Sequence, residues 1–116
     1  MAEEVPVPLD PRTPGSKSQP LDRAAGEVEL IVSGDLDLAT RDELLVRLLT
    51  LALSSRRRIV IDLADVEFLD AAGSRGLRRG HSLAADLGVE VTLRSPQDQA
   101  RAVLAFTGLS ELLTAE

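Results

Sequence analysis

The chain reads as an α/β protein: a small, mostly parallel sheet of about four strands flanked by three or four helices. Three observations predict this. Short apolar runs rich in β-branched residues alternate with stretches of helical periodicity, in the order strand, helix, strand, helix, strand, helix. The connections between them are short, which implies parallel strands joined by right-handed crossovers. Five of the six prolines fall within the first twenty residues, leaving the rest of the chain open to regular structure. At 116 residues the chain is long enough for one domain with a single core.

Residues 1–18 carry Pro6, Pro8, Pro11 and Pro14 and read as a Pro-rich flexible tail, with the folded domain at 19–116. An edge strand fits around Gln19 to Arg23. Glu27 to Ser33 places Val28, Leu30 and Val32 on one face and is closed by Gly34, giving the first strong strand. Asp35 to Leu38 forms a bend. Thr40 stands three residues before Glu43, the spacing of a capping box, and opens a helix whose stripe is Leu44, Leu45, Leu48, Leu49, Leu51 and Ala52. Ser54 to Arg57 ends it.

Ile59 to Leu63 is the second strand, and Val66, Phe68 and Leu69 follow across a short connection. Asp70 is placed to accept from the first unbonded N–H groups of a second helix, about Ala72 to Leu87. Leu77, Leu83, Ala84 and Leu87 should face inward, with Arg75, Arg78, Arg79 and Asp86 outward, and Gly88 should end the helix. Val89 to Leu93 alternates as a third strand. Ser95 is expected to cap a third helix with Pro96 at its first position; Ala102, Val103 and Phe106 supply its apolar face and Gly108 stops it. Ser110 to Thr114 is a terminal turn or short helix.

Composition narrows the function. Acidic residues outnumber basic ones 19 to 13, for a formal charge of −6, which disfavours phosphate backbones and so direct nucleic-acid binding. The run Arg56-Arg57-Arg58 lies just before a strand and reads as a solvated turn rather than a nucleic-acid patch. Cysteine is absent, which removes disulfides and thiolate chemistry. The two aromatics, Phe68 and Phe106, make no stacking platform. There is no signal-like start and no apolar run long enough to span a bilayer, so no membrane insertion and a soluble, cytoplasmic protein are expected. His81, the lone histidine, falls midway along the second helix, where a structural or solvated role is the plain reading. Asp35, Asp37 and Asp70 read as turn and cap residues; as a metal site they lack ligand spacing, and as acid and base they lack a nucleophile. No catalytic residue, metal or cofactor is expected. Gly76 and Gly80, four apart on the second helix, suit either tight packing on the sheet or close approach of another backbone.

In order and spacing, Gly34-Asp35-Leu36-Asp37, Ile59 to Leu63 with Phe68-Leu69-Asp70, Ala71-Ala72-Gly73, Arg94-Ser95-Pro96 and Phe106-Thr107-Gly108-Leu109 match one family. Over residues 27 to 114 the sequence resembles STAS domains, specifically bacterial anti-sigma factor antagonists. The resemblance implies a protein partner, usually a serine-kinase anti-sigma factor, docking near the start of the second helix. It implies a contact formed by Asp37, Asp70, Ala71, Ala72, Gly73 and Ser74, with Arg75 and Arg78 at its rim. In the family the kinase phosphorylates a Ser or Thr directly after the residue matching Asp70; the unmodified form binds the kinase and so releases the sigma factor. Phosphate there adds nearly two negative charges and weakens docking.

This sequence departs from that pattern, because the acceptor position is Ala71 and the next residue is Ala72. Ser74, one turn past Asp70, is the remaining hydroxyl. It is either a polar first-turn residue bonded to the backbone, or a displaced phosphoacceptor exposed at the rim beside Arg75 and Arg78. The resemblance therefore leaves two roles: an antagonist independent of phosphorylation at the usual place, or a structural STAS subunit of a signalling scaffold or a lipid-transport ABC system. Ligand binding at the end of the sheet has only the Asp cluster in its favour.

Overall fold

In the computed structural model, residues 21–24, 26–54 and 57–114 are described. The expected tail at 1–18 lies outside them. Four strands form one sheet in the order β1 (Leu21–Ala24), β2 (Glu27–Leu36), β3 (Arg58–Leu69) and β4 (Glu90–Arg94). β1 runs antiparallel to β2 at the edge, while β2, β3 and β4 are mutually parallel. The crossovers are α1 (Arg41–Ala52) and α2 (Ala71–Asp86); α3 (Asp98–Phe106) follows β4, and a 3-10 turn spans Ser110–Leu112.

Both long strands outrun the sequence expectation. β2 continues through Gly34 to Leu36, and β3 absorbs the supposed connection and continues to Leu69. The pairing register explains how: between Ile31 and Ser33, and again between Gly34 and Asp35, β3 holds one more residue than β2. Gly34, at φ +83°, sits at the second irregularity, where a left-handed backbone keeps the ladder going. Asp62 supports the first by accepting from Ala64 N at 2.9 Å.

The hydrophobic core is aliphatic, and the buried Arg47 of α1 is among the largest side chains enclosed with it. Val28, Leu30 and Val32 of β2, Ile59, Ile61 and Leu63 of β3, and Val91 and Leu93 of β4 pack under Leu44, Leu48 and Leu51 of α1 and Leu77 and Ala84 of α2. Residues alternate to opposite faces of a strand, so the second face carries a different set. There Glu27, Arg58 and Glu90 share one row, with Arg58 bridging both acids at 3.6 and 3.7 Å. On the same face, Arg94, four residues beyond Glu90 on β4, pairs with Glu29 and with Asp62, the latter at 2.9 Å. Arg58 thus belongs to a strand and an ion row, not to a solvated turn.

The helices correct several expectations. α2 begins at Ala71 and ends at Asp86; Leu83 is half-buried and Leu87 exposed, so the inward face rests on Leu77 and Ala84. Gly88 and Gly108, at φ +81° and +80°, do end their helices. Gly76 and Gly80 face neither the sheet nor a foreign backbone. A Cβ on Gly80 would lie 2.4 Å from Leu48 Cδ2, and one on Gly76 would lie 3.0 Å from Arg41 Cβ, so both admit side chains of α1. Ser95 does not cap α3: it has φ +60°, and the helix starts only at Asp98 after Gln97. Its buried residues are Ala100 and Leu104, whereas Ala102 is exposed and Phe106 is 91% exposed.

Candidate functional site

Leu36 and Leu69 are register partners at the ends of two adjacent parallel strands. The residues directly after them, Asp37 and Asp70, therefore stand side by side at one end of the sheet, where parallel α/β folds present their surfaces. Asp70 N donates to Leu36 O at 3.4 Å, tying the two strand ends together.

Asp70 is extended, at φ −114° and ψ −176°, and its Oδ1 accepts from Gly73 N at 2.8 Å. This is the N-cap that the sequence predicts. Gly73 is pressed against β2: a Cβ on it would lie 2.1 Å from Leu36 O, which no side chain tolerates. That contact sets how α2 leaves the sheet. Ala71 is consequently exposed and Ala72 half-buried, forming a methyl-lined ledge beside Asp70.

Asp37 organises the neighbouring turn. Its Oδ1 accepts from Ala39 N at 3.0 Å and Thr40 N at 3.2 Å. Thr40 Oγ1 accepts from Asp37 N at 3.1 Å and donates to Asp35 O at 2.9 Å. The hydroxyl thus points back into the turn, and the capping box expected with Glu43 is not formed; Glu43 N bonds to Thr40 O instead. Next to this turn lies a hollow of about 440 Å³ whose rim includes Asp35, Asp37, Glu43 and Glu67. Among the described residues, no group of three or more His, Cys, Asp or Glu is placed to hold a metal ion.

Ser74 is not at the rim. Its relative exposure is 0%, and its Oγ lies 2.6 Å from Thr107 Oγ1. Thr107 Oγ1 itself donates to Val103 O at 2.8 Å, so the shared proton belongs to Ser74, which donates to Thr107. The hydroxyl is sealed between α2 and α3. An exposed phosphoacceptor and a direct contact to a docked protein are both corrected by this placement, as is local bonding to the helix backbone. Gly73 is buried too and acts on the ledge only through the backbone it positions. Arg78 spans the same junction, donating from Nη2 to Thr107 O at 2.7 Å, at the carboxyl end of α3. Arg75 is exposed.

The structure thus brings Asp37, Asp70, Ala71 and Ala72 together at the surface, with Arg75 and Arg78 alongside, and places Ser74 beneath them. Thr107 is the residue that sequence reasoning missed. The motif Phe106-Thr107-Gly108-Leu109 marked a helix end, but nothing in it pointed across to Ser74, thirty-three residues earlier.

A family model described as "Mlab, STAS domain" matches residues 20–114. No curated protein matches the sequence. Among solved structures, the chain is similar to the anti-sigma factor antagonist SpoIIAA in its unphosphorylated form, with a TM-score of 0.70 at 18% identity, covering 83% of this chain and 84% of that one. The phosphorylated form of SpoIIAA, a Bacillus cell fate determinant, aligns with a TM-score of 0.63 at 18% identity over 83% and 87%. SLC26A9 aligns with a TM-score of 0.65 at 18% identity, over 78% of this chain but 18% of that protein. At these identities the likeness is one of fold. Among the described residues, no helix is long and apolar enough to cross a membrane.

Proposed function

Because the chain belongs to the STAS domain family, we propose that it is a protein-binding regulator of the anti-sigma factor antagonist type whose docking surface is the ledge at the start of α2. The observation that carries this reading is the exposed, hydroxyl-free Ala71 beside Asp70. A kinase-type anti-sigma factor meets a methyl-lined surface beside the Asp70 carboxylate, and no transferable phosphate alters that surface at this position. Release then depends on abundance, competition or another signal. The SpoIIAA likeness supports the reading because that protein is itself an anti-sigma factor antagonist with a phosphorylated form. The reading places the protein in the cytoplasm, without catalysis of its own.

The test is complex formation with a purified kinase-type anti-sigma factor from the same genome. A stoichiometric complex is expected, insensitive to ATP, and Ala71→Glu should weaken it about tenfold or more by placing a charge where desolvation is required. Ala71→Ser should make the complex ATP-sensitive. Absence of binding to every such protein of the genome overturns the reading. A second reading, a non-phosphorylated STAS subunit of a larger assembly, draws on the same missing hydroxyl and on the match to a small part of SLC26A9; a stable complex with a transporter component in place of an anti-sigma factor would favour it.

A further inference from the structure

Between α1 and α2 runs an open groove of about 550 Å³, lined by Arg41, Arg75, Arg78 and Arg79 with Asp42 as the one acid. Its floor exists because Gly76 brings no side chain, and the half-buried Leu45 and Leu83 give it an apolar lining. In a protein of net charge −6 this is a concentration of the minority sign. Two of the four guanidinium groups are already engaged: Arg78 on Thr107 O, and Arg41 loosely with Asp42 at 3.9 Å. Arg75 and Arg79, one helical turn apart and both exposed, have no hydrogen-bond or ion-pair partner among the described residues.

We propose that this groove receives an acidic, amphipathic segment of the partner protein, with its apolar side chains on Leu45 and Leu83 and its carboxylates on Arg75 and Arg79. The inference rests on the reading above that the start of α2 is a partner surface, and extends that surface along the helix towards α1. Charge complementarity selects the occupant. Guanidinium forks match carboxylates in geometry, and aliphatic side chains between them match an apolar stripe. A nucleic acid fits less well, since the whole chain repels it and no aromatic is present in the groove. A small phosphate is poorly served by an open groove without converging backbone N–H groups.

The full chain, labelled with ¹⁵N, is titrated with a fluorescein-labelled peptide of repeating Leu-Glu-Glu-Leu-Leu-Glu-Glu units, with the same peptide carrying Lys for Glu, with inorganic phosphate, with a single-stranded DNA oligonucleotide and with phosphatidylglycerol vesicles. The acidic peptide should shift the amides of Arg75, Gly76, Arg79 and Ser82. Arg75→Glu with Arg79→Glu should weaken it about tenfold or more, Arg75→Gln with Arg79→Gln less, and added salt should weaken the wild type most. Unchanged peptide affinity in the Glu variant, shifts confined elsewhere, or equal response to the basic peptide, phosphate, DNA or vesicles overturns the proposal. Ala71→Trp separates the two readings: its bulk on the exposed ledge should disrupt anti-sigma capture, while an uncharged side chain leaves Arg75 and Arg79 available and peptide affinity within about twofold. If only that capture depends on its site, the groove fails and the function stands; if only the peptide does, the reverse.

Discussion

Asp37 and Asp70 end two adjacent parallel strands, yet they hold their turns in different ways. Asp37 is committed to its own turn through one oxygen: its Oδ1 takes two backbone N–H groups and stands 3.2 Å from the Thr40 hydroxyl. Asp70 accepts one bond, from Gly73 N, and its Oδ2 has no hydrogen bond among the described residues. Asp37 Oδ2 is likewise without a hydrogen bond among the described residues, so the contrast lies in the contacts made: one carboxylate fastens a whole turn, and the other gives a single cap bond and borders the exposed Ala71. The difference shows how equivalent positions in a sheet separate into structural and recognition duties without any change of residue type.

The comparison breaks most severely at Gly73. Gly73→Ala sets a methyl group against Leu36 O, so α2 must lift from the end of β2, and a loss of about 3 kcal/mol or more is expected in urea unfolding. A midpoint near wild type would mean that the helix start slides without cost. Asp37→Ala removes the acceptor for two N–H groups and should cost about 1–2 kcal/mol by the same measurement, with partner binding reduced only in proportion to unfolding. Asp70 gives the smallest stability effect. Asp70→Asn keeps an oxygen for Gly73 N and should change stability by only a few tenths of a kcal/mol. It removes the charge beside the ledge, and a purified anti-sigma factor should bind it several-fold more weakly. Equal affinity would show that the spare oxygen is idle.

How legible this was depended on range along the chain. Asp70 as a cap, Gly88 and Gly108 as stops and the aliphatic core were readable because each needs only near neighbours. The length of β3 was hidden because Ala64 and Asp65 look like a loop; bulges let the ladder pass them. The phase of α3 was hidden for a similar reason. Ala102 and Phe106 make as good an apolar stripe as Ala100 and Leu104, and only the sheet decides which faces in. Ser74 was misplaced because its partner arrives from another helix, and the arginine groove because Arg41 and Arg75 lie on different elements. The Gly76 and Gly80 pair was the available hint that α1 and α2 come close.

The charged rows on the second face of the sheet act on assembly as well as on the finished fold. A one-residue slip of a strand would turn its valines and leucines outward, so the apolar face already forbids it. A two-residue slip escapes that check, since inside stays inside. Charge supplies the missing test: sliding β3 by two positions in one direction lays Asp62 alongside Glu29, and it takes Arg58 away from Glu27. With Glu29 7% exposed in the native sheet, two carboxylates would meet there with little water between them. The strands are keyed against being zipped one notch too far.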